Sequence, residues 1–217
     1  MTMSTTGAIR FDQPADRRGL LTAKADQVRF LEVLDTRFFI VEGTGQAGGP
    51  EFTGAFGALY PVAYTVHFAL KRRGVQAPIG ALEGLFWIGE PGPITADQLA
   101  ATPDPSIGWT WRLMLPVPEE ASAEEIEAAI AEVARKKAPP ALDRLVVEPL
   151  VEGLCAQILH VGPYATEPGT IRRLHDAIAA AGLAPRGCHH EIYLSDPGRT
   201  DPGRIRTIIR QPVQPAG

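Results

Sequence analysis

One carboxylate near the carboxyl end of the chain is the first residue whose position could support chemistry. The run 186–195 is predicted to be a strand, on which Glu191 and Tyr193 share a face. A carboxylate in mid-strand must be solvated, paired or directed into a cavity. Glu191 could therefore be the counter-charge for a cationic ligand or a base that positions water. The alternative is a structural salt bridge to Arg112 or Arg206 on a neighbouring strand.

Aromatic residues form a second candidate group because they are unevenly distributed. They make up 7% of the chain, yet eleven of the 15 lie between Phe38 and Trp111. Aromatic rings attract flat ligands and cations through their quadrupoles. Rings on sheets and helices can also be ordinary core, and Phe38, Phe39 and Phe68 are assigned there. The candidates for ligand contact are Phe56, Tyr60, Tyr64, Trp87, Trp109 and Trp111.

Other catalytic arrangements are not indicated. His189 and His190 are adjacent on a predicted strand, so they point to opposite faces and cannot bind one metal ion together. Cys155 and Cys188 are too few for a metal ligand set or a disulfide framework. Neither a Gly-x-Ser-x-Gly motif nor a phosphate-binding loop occurs. We therefore expect no metal and no cofactor.

Length and charge limit the class of protein. A chain of 217 residues corresponds to one large domain or two small ones. The net charge of −4 disfavours nucleic acid as a partner, since nucleic-acid binding usually requires a basic face. No apolar run is long enough to cross a membrane, and the first ten residues lack the apolar core of a signal peptide. A cytoplasmic protein is therefore expected.

The elements that must position these residues follow from hydrophobic patterning. Residues 36–43 are predicted to be a strand, and apolar residues spaced by three and four predict a helix from Phe52 to Gly74. Pro61 lies inside that helix, where it should kink the helix or cost about 3 kcal/mol. Strands are predicted at 81–90 and 108–116, and a capping box at Ser122 begins a helix that ends near residue 137.

The same order of elements then returns. A strand at 152–162, a loop at 163–169 and a helix from 171 to 182 precede two strands at 186–195 and 204–213. The sequence thus predicts an α+β fold with two strand–helix–strand–strand modules in a single domain spanning 1–217. Repeat one covers about 36–116 and repeat two about 142–213. Modules of this kind should join into one antiparallel, saddle-shaped sheet, with a ligand cleft at the junction.

Three stretches carry a family resemblance. They are Leu82-Glu83-Gly84-Leu85-Phe86-Trp87, the run from Glu152 to Tyr164 (EGLCAQILHVGPY) and the run from His190 to Pro197 (HEIYLSDP). Together with the tail at 208–213 they resemble the GyrI-like small-molecule-binding family, particularly its stand-alone branch. No winged-helix or helix-turn-helix segment is recognisable, which disfavours a transcription regulator.

The resemblance implies a duplicated fold around a central cleft that binds lipophilic, often cationic or aromatic molecules. It also implies that Glu191 matches the family's pocket glutamate. One stand-alone branch hydrolyses the strained cyclopropane of DNA-alkylating natural products, using an aromatic cage and an acidic residue. By that resemblance, this chain is expected to be a cyclopropanoid hydrolase.

The expected chemistry assigns a role to three side chains. Glu191 would orient or deprotonate a water, and the hydroxyl of Tyr64 or Tyr193 would hydrogen-bond the carbonyl on which charge develops. A non-catalytic protein that sequesters lipophilic cations, with Glu191 as counter-ion, is the leading alternative. A protein-interaction role, such as gyrase protection, is a third. The expected partner is a small aromatic or cationic molecule, and the chain would be a monomer or a homodimer.

Overall fold

The computed structural model describes residues 9–14, 16–100 and 108–217, and nine strands and five α-helices lie in these ranges. The strands are β1 (Arg29–Val33), β2 (Thr36–Thr44), β3 (Leu82–Ile88), β4 (Trp109–Pro116), β5 (Leu145–Leu150), β6 (Gly153–Val161), β7 (Leu183–Pro185), β8 (His189–Tyr193) and β9 (Arg206–Pro215). The helices are α1 (Arg17–Leu20), α2 (Pro50–Arg72), α3 (Ala96–Ala100), α4 (Ala123–Lys136) and α5 (Glu167–Ala180). Short 3₁₀ turns occupy Pro140–Arg144, Tyr164–Thr166 and Pro202–Arg204.

The strand order has two-fold pseudosymmetry. The sheet runs β1-β6-β9-β8-β3-β4-β2-β5, and β7 pairs with β9. In the first module (β2, α2, β3, β4) the last strand lies between the other two, and the second module (β6, α5, β8, β9) repeats that arrangement. The modules meet where β3 pairs with β8, with Gly84 opposite Glu191. The predicted α+β fold with an antiparallel sheet is confirmed.

Helix α2 spans 23 residues because one of its faces is apolar along its whole length. Ala55, Leu59, Val62 and Val66 are fully buried against the sheet and α4. Pro50 lies in the first turn, where a missing N–H leaves no helical hydrogen bond unmade. The helix continues through Pro61. Burial of the apolar face outweighs the one backbone hydrogen bond that proline cannot donate.

The two faces of the sheet have different coverings. Helices α2 and α5 pack on one face, where they enclose the two largest apolar clusters. We call this the helix face. The other face is partly covered by the amino-terminal segment, since the side chain of Gln157 donates hydrogen bonds to the backbone oxygens of Leu20 and Thr22. We call this the covered face. Among the described residues, no helix has both the length and the apolarity that a membrane span requires.

Two edge strands lie where the sequence pattern did not predict them. Strand β1 falls in the leading segment before the first module and pairs with β6. Strand β5 falls inside the range expected for the second repeat, but it pairs with β2 of the first module. The repeat boundaries near 36–116 and 142–213 therefore do not coincide with the edges of the sheet. These two strands extend the six-strand symmetric core on either side.

Candidate functional site

A cavity of about 1120 Å³ lies on the helix face, above the junction of β3 and β8. Its walls are α2 on one side and the start of α5 on the other. This volume is slightly above the range of about 300–1,000 Å³ that is usual for small-molecule sites. The residues that line the cavity include Phe52, Phe56, Tyr60, Tyr64, Phe86, Trp109, Tyr164, Glu167, Glu191 and Tyr193.

The floor of the cavity depends on a glycine at the module junction. A Cβ on Gly84 would lie 2.7 Å from Cε2 of Phe86 and 3.3 Å from the hydroxyl of Tyr193. Since Cβ atoms essentially never approach other atoms as closely as 2.7 Å, a larger residue here would displace Phe86. The glycine therefore lets a phenyl ring and a phenol hydroxyl lie side by side on the floor.

The wall formed by α2 is a row of aromatic rings at every fourth residue. Its members, which we call the aromatic ladder, are Phe52, Phe56, Tyr60, Tyr64 and Phe68. Successive ring centroids are 5.7, 6.2, 6.4 and 6.3 Å apart. The first four rings line the cavity, and Tyr64 and Phe68 are about half exposed, at 48% and 50%. Side chains four apart on a helix stack along one face, so the helix itself sets this spacing.

Glu191 lies in the middle of β8 with its side chain on the helix face. It is 6% exposed and lines the cavity. Its Oε1 lies 3.2 Å from Nε2 of His189, which is fully buried two residues earlier on the same face. Among the described residues no arginine or lysine pairs with Glu191. The salt-bridge alternative is therefore wrong, and Arg112 instead pairs with Glu42 at 2.7 Å on the opposite face.

A second carboxyl group lines the same cavity. Glu167 is the first residue of α5 and is 2% exposed. In the described part of the chain it has no ion-pair partner, and its Oε1 has no hydrogen-bond partner. Burial, and then the nearby charge of Glu191, raise the pKa of Glu167 well above its ordinary value. The sequence did not single out Glu167, because it falls in the stretch predicted to be a loop.

The pKa of Glu167 is raised even though this residue lies at a helix amino terminus. The helix dipole favours a carboxylate there by about 0.3–1 kcal/mol, and up to about 2 kcal/mol where burial is partial. Removing an unpaired charge from water costs several kcal/mol, even after relaxation. The burial cost is the larger, so the protonated form of Glu167 is favoured near neutral pH.

Two tyrosine hydroxyls lie beside the carboxyl pair. Burial, with the charges of Glu167 and Glu191, raises the pKa of Tyr164 to about 12. Burial and the neighbouring Glu191 carboxylate raise the pKa of Tyr193 well above its usual value. Both phenols are therefore neutral hydrogen-bond donors under ordinary conditions.

Six of the eight residues predicted for the site line this one cavity. They are Glu191, Tyr193, Tyr64, Tyr60, Phe56 and Trp109. Trp109 lies at the start of β4 on the helix face, and among the described residues its indole N–H has no hydrogen-bond partner. A buried donor without a partner is uncommon in folded proteins. A ligand with an acceptor atom in the cavity could satisfy it.

The structure corrects the expectation for the other two tryptophans. Trp111 shares a face with Trp109 but is fully buried in the core, where its ring stands edge-on to Phe52 with centroids 5.2 Å apart. It fits only because position 43 is glycine, since a Cβ there would lie 2.4 Å from the indole ring. Trp87 points to the covered face, away from the cavity, where it packs with Leu85.

No group of three or more His, Cys, Asp or Glu residues in the described ranges could hold a metal ion. Cys155 is fully buried, and burial raises the pKa of its thiol far above the usual range. The thiol therefore behaves as a small apolar group. The chemistry of the site thus depends on the two carboxyls, the tyrosine hydroxyls and the aromatic rings.

Comparison with known proteins agrees with the fold and with the kind of site. Residues 108–214 match the family described as the GyrI-like small molecule binding domain. No curated protein sequence matches the chain.

Solved structures extend the similarity over nearly the whole chain. An uncharacterized conserved protein from Listeria innocua has a TM-score of 0.80 and is 28% identical, covering 91% of this chain and 97% of its own. A protein from the same organism described as a hydrolase has a TM-score of 0.73 and is 29% identical. The match covers 94% of this chain and 100% of that protein. The C-terminal domain of EcmrR shares the fold alone, with a TM-score of 0.54 and 12% identity, covering 87% of this chain and 98% of its own.

Proposed function

Because the chain carries a GyrI-like small-molecule-binding domain, we propose that it binds planar lipophilic molecules in the cavity and hydrolyses a strained cyclopropane in them. The substrates would be DNA-alkylating natural products, in which a carbonyl conjugated to the small ring activates it. The observation that carries the proposal is the division of the cavity into two sides. Aromatic rings of α2 form one side, and the buried carboxyls of Glu167 and Glu191 form the other.

The aromatic side accounts for the class of ligand. Phe56, Tyr60 and Trp109 line a cavity whose volume of about 1120 Å³ is large enough for a fused-ring molecule. Aromatic contacts of this kind are worth about 0.5–1.5 kcal/mol each beyond the area they bury. Several such contacts hold a flat ligand in a fixed plane, which brings its reactive carbon to one position relative to Glu191.

The acidic side accounts for the reaction. Glu191 accepts a proton from a water molecule as that water attacks the ring CH₂ carbon. A C–O bond forms, a C–C bond of the cyclopropane breaks, and its electron pair moves through the conjugated system to the carbonyl oxygen. The hydroxyl of Tyr193, or of Tyr64 nearer the exposed end of the ladder, hydrogen-bonds that oxygen as it gains charge. The product is one water heavier than the substrate.

His189 supports Glu191 in this role. Its Nε2 contact with Oε1 holds the carboxylate of Glu191 in one orientation at the cavity. The similarity to a Listeria innocua protein described as a hydrolase, over 94% of this chain, also favours a hydrolytic reaction over binding alone.

Binding without turnover is the second candidate. Glu191 has no arginine or lysine partner in the described part of the chain, so a lipophilic cation would supply the missing positive charge. Aromatic rings attract such a cation by about 0.5–2 kcal/mol per contact. A protein that sequesters cations needs only these features.

The deciding experiment is incubation with a cyclopropane-containing alkylator, followed by mass detection of a product one water heavier. The rate without protein is subtracted, because the activated ring also reacts slowly with water. Glu148→Gln serves as the matched control, since Glu148 is exposed on an edge strand of the sheet. Turnover above background supports hydrolysis. Intact ligand recovered from saturating protein refutes it and leaves the binding role.

A further inference from the structure

We propose that Glu167 is the acid of this site: it holds a proton, donates it in a hydrogen bond to the carbonyl oxygen of the bound ligand, and transfers it to that oxygen as the ring opens. This inference rests on the proposed hydrolysis and names the group that completes it. Glu191 and Glu167 would then be a base and an acid in one cavity.

Geometry supports a proton on Glu167. The side chain is buried, lines the cavity, and has one oxygen without a hydrogen-bond partner among the described residues. A buried carboxylate needs a cation or several donors, whereas in that part of the chain no cation pairs with Glu167 and only the Thr207 hydroxyl acts on it as a donor. A protonated carboxyl needs only one acceptor for its O–H, which a ligand carbonyl in the cavity supplies.

A neighbouring carboxylate also favours the protonated form of Glu167. Glu191 on β8 places negative charge next to Glu167, and two carboxyls that share one site do not both ionise readily. The hydroxyl of Thr207 on β9 works against this effect, but it is outweighed by burial and by Glu191. The other titratable groups around the pair are Tyr164, Tyr193, His160, His189, Asp196 and Arg199.

A carboxylic acid is a better proton donor here than either tyrosine. Tyr164 and Tyr193 have raised pKa values, so each would give up its proton only to a strong base. A phenol hydroxyl can hydrogen-bond the carbonyl oxygen throughout the reaction without transferring its proton. Glu167 can transfer its proton, because a carboxyl group is intrinsically a much stronger acid than a phenol.

The proton balance of the step closes within the cavity. Glu191 takes one proton from water, and the remaining hydroxyl bonds to the ring CH₂ carbon. The electron pair of the broken C–C bond moves to the carbonyl oxygen, which accepts the proton from Glu167. The product leaves with the elements of water added and no change in overall oxidation state. The proton on Glu191 then returns to Glu167, directly or through solvent, and the site is reset.

The test is Glu167→Gln, which keeps the shape and an N–H donor but cannot release a proton. Turnover should fall by about 10²-fold or more, whereas the affinity for ethidium, a planar aromatic cation that reports binding by fluorescence, should change less than about two-fold. Glu191→Gln is the comparison, because it should weaken ethidium binding as well as stop turnover. Wild-type turnover in Glu167→Gln, or loss of its ethidium affinity, overturns the proposal.

A second measurement does not depend on turnover. The infrared spectrum near neutral pH should contain the C=O stretch of a protonated carboxyl that is missing in Glu167→Gln and present in Glu148→Gln. If this band is missing in the wild-type protein, Glu167 is ionised and the proposal fails, although hydrolysis can still stand. If the wild type has the band but never turns substrate over, hydrolysis fails and the proton-transfer step fails with it.

Discussion

The helix face and the covered face of the sheet each bury two glutamates, in contrasting surroundings. On the covered face, Glu152 accepts from His190 Nδ1 at 2.9 Å and pairs with Arg210 at 3.2 Å. Glu83 pairs with Arg17 and lies 3.0 Å from Nε2 of the same histidine. On the helix face, Glu167 and Glu191 share a cavity in which no arginine or lysine pairs with either carboxyl, among the described residues.

The contrast appears in proton affinity. Burial alone would raise the pKa of Glu152, but His190 and Arg210 lower it to about 2. Burial raises the pKa of Glu167, and nothing of comparable size opposes it. Buried carboxyls that are paired with cationic side chains support the fold. Carboxyls without such partners around a cavity are available to a ligand. Glutamate-to-glutamine substitutions on the covered face should therefore lower the stability of the protein. On the helix face they should instead lower turnover or raise stability.

The largest effect is expected for Glu191→Gln. Loss of the proposed base should lower turnover of a cyclopropane-containing alkylator by about 10²–10⁴-fold, with the fold retained. Initial rates measured by mass detection, with Glu148→Gln as control, check this. Full activity in Glu191→Gln would remove Glu191 as the base.

Glu152→Gln should instead destabilise the protein. It breaks a buried ion pair and leaves Arg210 without its charged partner, which typically costs about 3–5 kcal/mol. Denaturant unfolding compares it with Glu127→Gln, an exposed change on α4 that should be nearly neutral. An equal stability of the two variants would show that the covered face is not held by its charges.

Glu167→Gln should stabilise the protein near neutral pH by about 0.5–2 kcal/mol, because folding then no longer requires this carboxyl to take up a proton. In the unfolded chain this group ionises near its ordinary pKa of about 4.3, whereas the folded protein holds its proton to much higher pH. The wild type should therefore lose stability, relative to the variant, as pH rises above that ordinary value. Chemical denaturation at several pH values measures the difference, and a pH-independent difference would contradict the argument.

The pH dependence should reverse on the covered face. The folded pKa of Glu152 lies below its unfolded value, so its contribution is present above about 4.3 and is lost as pH falls toward about 2. The difference between the wild type and Glu152→Gln should therefore shrink over that acid range. A stability difference that stayed constant down to pH 2 would show that the low pKa does not belong to Glu152.

The smallest effect separates two tryptophans. Trp109→Phe should weaken ethidium binding a few-fold, since it removes part of a ring contact worth about 0.5–2 kcal/mol. Trp87→Phe should leave the affinity unchanged, because this ring packs on the covered face. Fluorescence titration measures the ethidium affinity of both variants. Equal losses of affinity would mean that binding does not depend on which face of the sheet carries the tryptophan.

Local patterning predicted most of the fold. Apolar residues spaced by three and four along α2, and alternation along β8, reflect which side of an element is buried. Strand β5 escaped prediction because it is an edge strand with half-exposed side chains and an internal Pro149, so it has no clean alternation. The pairing of β5 with β2 depends on tertiary contacts that no short window of sequence contains.

The site was predictable only in part, for a related reason. Alternation on β8 places Glu191 and Tyr193 together, but alternation within one strand does not say which face carries the ligand. The same limit applies to Trp87 on β3 and Trp109 on β4, which are both candidates by sequence although their rings lie on opposite faces of the sheet. Glu167 lies 24 positions before Glu191, and its importance comes only from their proximity in the folded chain.

The pseudosymmetry of the sheet has a consequence for how a ligand lies. The axis that relates the two modules passes between β3 and β8, directly beneath the cavity. A perfectly symmetric pair of modules would offer two equivalent poses, related by half a turn. Here one module contributes the ladder and the other the carboxyls, so turning a ligand end over end exchanges its chemical surroundings. The divergence of the two copies thus makes the two sides of the cavity chemically different, so that one orientation of a bound molecule is preferred over the other.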